Sequence, residues 1–360
     1  MDFSLFYFAA GQEAGADGYQ LLLDGARFAD RHGFSAVWTP ERHFHEFGGP
    51  YPNPAVTGAA VAAVTSRIGI RAGSVVGPLH HPVRLAEDWS VVDNLSGGRV
   101  GLSFASGWHA RDFVLRPENY ADRRTVLTDT IGTVERLWQG ESITLPDGEG
   151  EPAEVRTFPR PVQPRLPVWV TSAGSPQTFQ EAGRRGYGLL THLLGQELPD
   201  LEKKIAEYRA HLPADEGARN PAAGKVALML HTFLGTDKDA VRETVREPFS
   251  EYIRSSLGLI MKAAGDILPG VDPEDLDPED TEFLVQRSFD RYFSTGGLFG
   301  TVEDTLPLLA RLEAIGVDEI ACLIDFGVEP GQVLAGLDHL GELRAAWDRQ
   351  RGGDDVRSAR

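Results

Sequence analysis

The chain is poor in cysteine, in basic residues and in long apolar runs, and each shortage removes a class of function. Cys322 is the single cysteine among 360 residues, which excludes an internal disulfide and any multi-cysteine metal or iron–sulfur centre; a reducing cytoplasm fits best. Lys and Arg number 35 against 53 Asp and Glu, a net charge of -18, so the surface repels nucleic-acid backbones and anionic membranes, and neither is an expected partner. No apolar run approaches the roughly 18 residues of a spanning helix. Met1-Asp2-Phe3-Ser4-Leu5-Phe6-Tyr7-Phe8-Ala9-Ala10 lacks the basic start of a secretion signal and reads as a first buried strand. A serine-hydrolase elbow is missing too, because Gly101-Leu102-Ser103-Phe104-Ala105 has no closing glycine. What is present, 41% hydrophobic and 24% charged residues, is the composition of an ordinary globular protein.

Short apolar runs recur, each followed by a polar turn and an amphipathic stretch of helical length. The predicted strands are Phe3 to Ala9, Ala36 to Thr39, Ile68 to Val76, Val100 to Ala105, Val168 to Ser172, Gly188 to Leu193, Val226 to Phe233 and Glu319 to Ile324. Helical periodicity covers Tyr19 to His32, Val83 to Leu95, Arg123 to Trp138, Pro176 to Arg185, Leu198 to His211 and Val302 to Ile315. Gly33 and Gly316 are placed as C-caps just before strands, and Ser175-Pro176 as a helix start. Strand alternating with helix in this way predicts an α/β protein with a parallel (β/α)8 TIM barrel, a single domain over residues 1–345. Residues 139–166 and 236–300 fall outside the alternation and are expected as insertions, the second after strand seven and carrying the acidic run Asp272-Pro273-Glu274-Asp275-Leu276-Asp277-Pro278-Glu279-Asp280. Residues 346–360 are expected as a polar, frayed tail.

Barrel enzymes keep their chemistry at the C-terminal ends of the strands, which draws attention to four places. The second strand runs into Pro40-Glu41-Arg42-His43-Phe44-His45-Glu46-Phe47-Gly48, a dense cluster of ionisable and aromatic side chains. The third ends in Ile70-Arg71-Ala72-Gly73-Ser74, where a small-residue pair either marks tight packing or lets a flat ring lie on the backbone. The fourth ends in Ala105-Ser106-Gly107-Trp108-His109. The fifth is followed by Ser172-Ala173-Gly174-Ser175-Pro176-Gln177-Thr178, which suits either a plain N-cap or an anion site built from free amides and hydroxyls. Phe6, Phe8, Trp38 and Trp108 are candidate cavity walls, joined by His192 and His231 near strand ends. His43 and His45, with Asp325 closing the eighth strand, also have the spacing of a metal-dependent barrel hydrolase. Against that reading, the pair follows the second strand rather than the first, and the lysine and histidine such hydrolases need at strands four and five are missing.

The blocks Pro40 to Gly48, His81-Pro82-Val83-Arg84-Leu85-Ala86-Glu87-Asp88, Asp93-Asn94-Leu95-Ser96-Gly97-Gly98-Arg99, and Gly300-Thr301-Val302-Glu303-Asp304 leading to Gly316-Val317-Asp318-Glu319 resemble the luciferase-like flavin-dependent monooxygenases. The likeness is nearest to members acting in natural-product biosynthesis. It implies reduced FMN delivered by a separate flavin reductase, oxygen activated through a flavin C4a hydroperoxide, a small or carrier-tethered substrate, a homodimer and no metal. It places Ser175 and Thr178 with Gly174 at the flavin phosphate. Ala72 and Gly73 go beneath the ring, with a cis peptide bond at or next to the one joining them, and Ser106, Gly107 and Asp112 go along the flavin. Arg42, His43 and His45 fall at the reactive face. Two departures stand out: Ala105 replaces the cysteine of luciferases, and Arg42 replaces the first histidine of their Glu-His-His-Phe block. A permanent cation there suits charge binding, leaving His43 to handle protons. The alternatives are a deazaflavin-dependent oxidoreductase on the same barrel, which transfers hydride without oxygen, and a non-catalytic flavin-binding protein.

Overall fold

A computed structural model describes residues 1–8, 18–214, 220–263 and 277–358. Eight parallel strands close on themselves among these residues: β1 (Asp2–Phe6), β2 (Ala36–Thr39), β3 (Gly69–Val76), β4 (Val100–Ala105), β7 (Val168–Ser172), β8 (Gly188–His192), β9 (Val226–Leu234) and β11 (Glu319–Leu323). The ring closes because β8 pairs with β9, β9 with β11, and β11 with β1, each in parallel register. The fold is therefore the (β/α)8 barrel that the alternation of elements predicts. β1 stops at Phe6, short of the predicted end at Ala9; Ala9 itself, like residues 272–276 of the acidic run, lies outside the described residues.

Around the strands lie α1 (Gln20–His32), α2 (Pro54–Val64), α3 (Pro82–Ser96), α4 (Arg123–Gln139), α5 (Pro176–Arg185) and α6 (Leu198–Ala210). The later half adds α7 (Lys238–Ala263), α8 (Pro278–Arg291), α9 (Val302–Ala314) and α10 (Pro330–Ser358). Four helices escape sequence reading: α7 and α8 fall in the stretch expected as an insertion, and the other two escape for physical reasons. α2 is apolar on nearly every face, so it has no polar stripe to reveal a period. α10 continues to Ser358, so the polar stretch expected as a frayed end is helical from 346 to 358, its last two residues lying outside the described ones. The segment after β4 and α4 holds an antiparallel hairpin, β5 (Ile143–Pro146) with β6 (Pro152–Val155). Between α7 and α9, a π-helical turn at Tyr292–Gly296 leads into β10 (Leu298–Gly300), which pairs with the far end of β9.

The barrel interior is charged at its N-terminal half. Arg71 of β3 lies against the rings of Trp38 (4.9 Å) and Trp169 (4.6 Å), which meet each other edge to face, and pairs with Glu319 of β11 at 2.7 Å. Glu319 also accepts from Ser4 Oγ at 2.6 Å and Trp38 Nε1 at 3.0 Å. Burial pushes this carboxyl up, but Arg71 and the hydroxyl and indole donors outweigh it and hold it below the usual range. Trp38, expected on the cavity wall, is thus a fully buried member of this interior network. Arg71→Met leaves a buried carboxylate without its cation, and an unfolding free energy lower by about 3–5 kcal/mol is expected in urea titrations at neutral pH. The depressed folded pKa of Glu319 contributes stability above the unfolded carboxylate value and loses it as pH falls through the folded one. The acid-unfolding midpoint of Arg71→Met, followed by circular dichroism, is therefore expected at higher pH than in the parent; an unchanged midpoint would disprove the dependence of Glu319 on Arg71.

Candidate active site at the C-terminal barrel face

Glu41 leaves the end of β2 and turns its carboxylate inward, where it is buried beneath the loop it begins. Its Oε1 lies 2.8 Å from His43 Nε2 and 2.8 Å from His80 Nε2, while Oε2 accepts the Val76 amide at 2.7 Å. Burial pushes Glu41 up, yet the hydrogen bonds from the two imidazoles and the amide, with the charge of His80, hold it below its ordinary value. For His80, burial works downward and is outweighed by the bond to Glu41 and its charge, with Asp88 adding and Arg116 opposing; its pKa is raised. Glu41 lies in the charged cluster after β2 and His80 near a strand end, but neither is among the site residues expected from sequence. A carboxylate in a polar loop reads as solvated, and His80 lies 39 positions away on another strand end.

Arg42, the next residue, is buried and directs Nη1 at Asp112, 3.1 Å from Oδ2, with its guanidinium 4.9 Å over the ring of half-exposed Trp108. Asp112 also lies 3.4 Å from His109 Nδ1. The side chain expected along the flavin therefore anchors the arginine, and Trp108 caps the pair at the mouth. Arg42 Nε is buried with no hydrogen-bond partner. His45 departs from the cluster: it is exposed, and its Nδ1 accepts the Phe47 amide at 3.0 Å. His43 and His45 do not converge, and among the described residues no three His, Cys, Asp or Glu side chains are grouped to hold a metal ion. Between them Phe44 adopts φ 54° with its ring about half exposed. A positive φ at a bulky residue is uncommon and costs free energy that the surrounding loop must offset.

At the end of β3 a cis peptide bond joins Gly73 and Ser74, one bond beyond that joining Ala72 and Gly73, at a bulge against β4. Ala72 is fully buried, and a Cβ on Gly73 would meet Phe6 Cε2 at 2.7 Å, so Phe6 packs directly on the backbone here. Thr171 Oγ1 bonds both Ser74 Oγ and, at 2.6 Å, Ser103 Oγ, joining three strand ends by hydroxyls. Phe8 stacks obliquely on Phe47, 5.1 Å between centroids, and donates its amide to Asp325 Oδ1 at 2.7 Å.

Ser175 is the N-cap of α5 and Pro176 its first residue, as the sequence predicts, but the Ser175 hydroxyl makes no capping bond. Gly174 before it has φ 110°, a conformation that side chains disfavour. Thr178 lines a cavity of about 500 Å³ with Ser106, Arg124, Thr128, Thr171 and Gln177. Arg184 and Arg185 on the same helix pair with Glu181; Arg124, also lining the cavity, has no ion pair among the described residues. Gly107, beside Ser106, gives its carbonyl to Arg123 Nε at 3.1 Å. Arg124 is a cation that sequence reading passes over, since it looks like one more polar residue at the start of α4. A smaller hollow of about 210 Å³, lined by Asp2, Arg71, Lys225 and Asp318, opens at the opposite end of the barrel.

The other two histidines expected at the site, His192 and His231, lie at the end of β8 and near the end of β9. His231 is buried against Phe249, Tyr252, Tyr292 and Phe326 at ring distances of 4.7–5.9 Å, and burial, with His192 nearby, pushes it down to about 3. His192, its Nδ1 accepting the Leu194 amide, is pushed down by burial to about 4. Both are neutral at pH 7.

The profile of luciferase-like monooxygenases matches residues 1–319. The oxygenase component of a flavin-dependent trigonelline monooxygenase from Acinetobacter baylyi is 25% identical over 355 residues, covering 94% of this chain and 93% of that protein. The solved monooxygenase RslO1 of Streptomyces bottropensis superposes with a TM-score of 0.76 at 22% identity, covering 95% of this chain and 98% of the other. The oxygenating constituent of 3,6-diketocamphane monooxygenase from Pseudomonas putida, a type II Baeyer-Villiger enzyme solved with FMN, gives 0.72 at 20% identity over 95% and 96%. With its barrel, its strand-end cluster and a family match over most of its length, the chain belongs to the luciferase-like monooxygenases.

Proposed function

We propose that the chain is the oxygenase of a two-component system. It takes reduced FMN from a separate reductase and uses oxygen to oxidise a small or carrier-tethered intermediate of secondary metabolism, working as a cytoplasmic homodimer. The observation that carries this reading is the start of α5: an N-cap serine whose hydroxyl caps nothing, a glycine at φ 110°, and Thr178 and Arg124 opening onto one cavity. Hydroxyls, the Gln177 amide at the helix start and a cation with no ion pair among the described residues are what a phosphate dianion can use, and a protein of net charge -18 must assemble them locally.

Bound reduced FMN supplies the two electrons and the ring carbon at which oxygen is activated. The chain's own residues do the rest. Ala72, Gly73 and Phe6 form a flat apolar floor. Arg42, held by Asp112 and backed by Trp108, supplies positive charge toward an anionic ring or oxygen species. His43, held by Glu41, accepts and donates protons at the nitrogen that Glu41 does not engage. The neutral, aromatic side around His231 favours an apolar substrate portion and excludes water.

The deciding experiment is a titration with FMN, riboflavin and reduced FMN, followed by oxygen addition. FMN is expected to bind about tenfold or more tightly than riboflavin, the worth of a charge-assisted phosphate contact. Thr178→Val and Arg124→Ala are each expected to erase most of that preference while leaving riboflavin binding unchanged. Equal binding of the two flavins in the parent would refute the phosphate site, and preference for a deazaflavin would move the chain to the hydride-transfer class. Arg42→Ala is expected to lower oxygen-dependent turnover about tenfold or more; wild-type flavin affinity and turnover in that variant would return the arginine to a structural role.

A further inference from the structure

The barrel mouth contains one carboxylate oxygen contacted by two imidazoles, and the proposed reaction uses only one of them. Glu41 Oε1 is the shared atom, at 2.8 Å from Nε2 of both His43 and His80. The three side chains are graded in exposure: Glu41 is 0% exposed, His43 13% and His80 28%. Glu41 Oε2 is fixed by the Val76 amide at 2.7 Å, so the carboxylate cannot rotate away from either ring without losing that bond. A single histidine would suffice to orient the carboxylate; a second one at the same oxygen, nearer to solvent, connects the site to the outside.

We propose that His80, Glu41 and His43 form a proton relay between solvent and the reacting face, with His80 as the positioning residue at its outer end. The inference rests on the oxygenase reading. Oxidation of a substrate by oxygen and anionic reduced flavin, with release of water, takes up one proton per turnover, and a site closed to water needs a route for it. A proton arriving at His80 Nδ1 releases the Nε2 proton to Glu41 Oε1. Oε1 passes it to His43 Nε2 when that ring carries its proton on Nδ1, and His43 gives up the Nδ1 proton at the reacting face. One proton enters and one leaves, and each ring finishes as its other tautomer, His80 with its proton on Nδ1 and His43 with its proton on Nε2, so both must exchange that proton or turn over before the next transfer. The groups facing His80 are Glu41, Asp88 and Arg116, with His81 adjacent in the chain; the carboxylates favour a protonated His80 and the arginine opposes it. The raised pKa of His80 keeps the outer end charged at higher pH than an ordinary histidine allows.

The test pairs His80→Asn, which keeps a hydrogen-bond donor and removes the titration, with His80→Ala, which opens a space for added imidazole. In the cofactor-free protein, NMR titration of labelled histidines is expected to show His80 titrating above its ordinary range, and higher still in His43→Ala, because the two rings compete for one oxygen. With reduced FMN and oxygen, His80→Asn is expected to bind flavin like the parent yet turn over about tenfold to a hundredfold more slowly. The parent rate should fall as pH rises through the His80 pKa, and the variant should lack that limb. Free imidazole should restore His80→Ala and leave the parent unchanged. A parental pH profile in His80→Asn, or no rescue of His80→Ala, overturns the relay and leaves His80 as a structural donor. Absence of flavin binding in the parent instead defeats the oxygenase reading, and the cofactor-free titration still decides whether the two rings are coupled.

Discussion

The fold turns on a buried ion pair. Arg71 and Glu319 occupy a barrel interior that would otherwise be filled by layers of branched apolar side chains, and their partners come from β1, β2, β3, β7 and β11. Two charges taken out of water are costly unless every donor and acceptor finds a partner, and here two indoles flank the cation on one side while hydroxyl, indole and guanidinium converge on the carboxylate. Such a network tolerates one register. A slip of any participating strand would strand a charge, so the pair selects the closure that brings the C-terminal strand ends together on one face.

On that face the charges are arranged by proximity rather than by number. Arg42 carries a full positive charge but spends much of it on Asp112, and its aromatic neighbour shields it from water. Glu41 carries a full negative charge and divides it between two rings and an amide. Adjacent in sequence, these two side chains point to separate partners, and the proposed function assigns charge stabilisation to one and proton traffic to its neighbour.

The barrel itself was legible because parallel strands and their covering helices leave two unmistakable periods in the chain. α2 escaped because it is apolar nearly all round, and β1 looked longer because Tyr7 and Phe8 continue its apolar run after the strand hydrogen bonds end. The site was legible as a set of places and less so as a set of contacts. Arg42 finds Asp112 across 70 residues and Glu41 finds His80 across 39, separations that carry no local signal. Trp38 illustrates the opposite error. An aromatic at a strand end resembles a cavity wall, but alternation along β2 sends this one to Glu319 in the interior, whereas Trp108, beyond the end of β4, does reach the mouth.

The idle hydroxyl of Ser175 has an energetic meaning of its own. A serine N-cap that bonds its helix contributes about 1 kcal/mol, and α5 forgoes that contribution in the form described. Any anion seated on those amides supplies the missing bonds, so its binding energy enters the folding equilibrium and grows with its concentration. On the proposed function that anion is the flavin's phosphate, and the thermal midpoint of the protein would then report cofactor supply, with a cell short of flavin holding this chain in a less durable state.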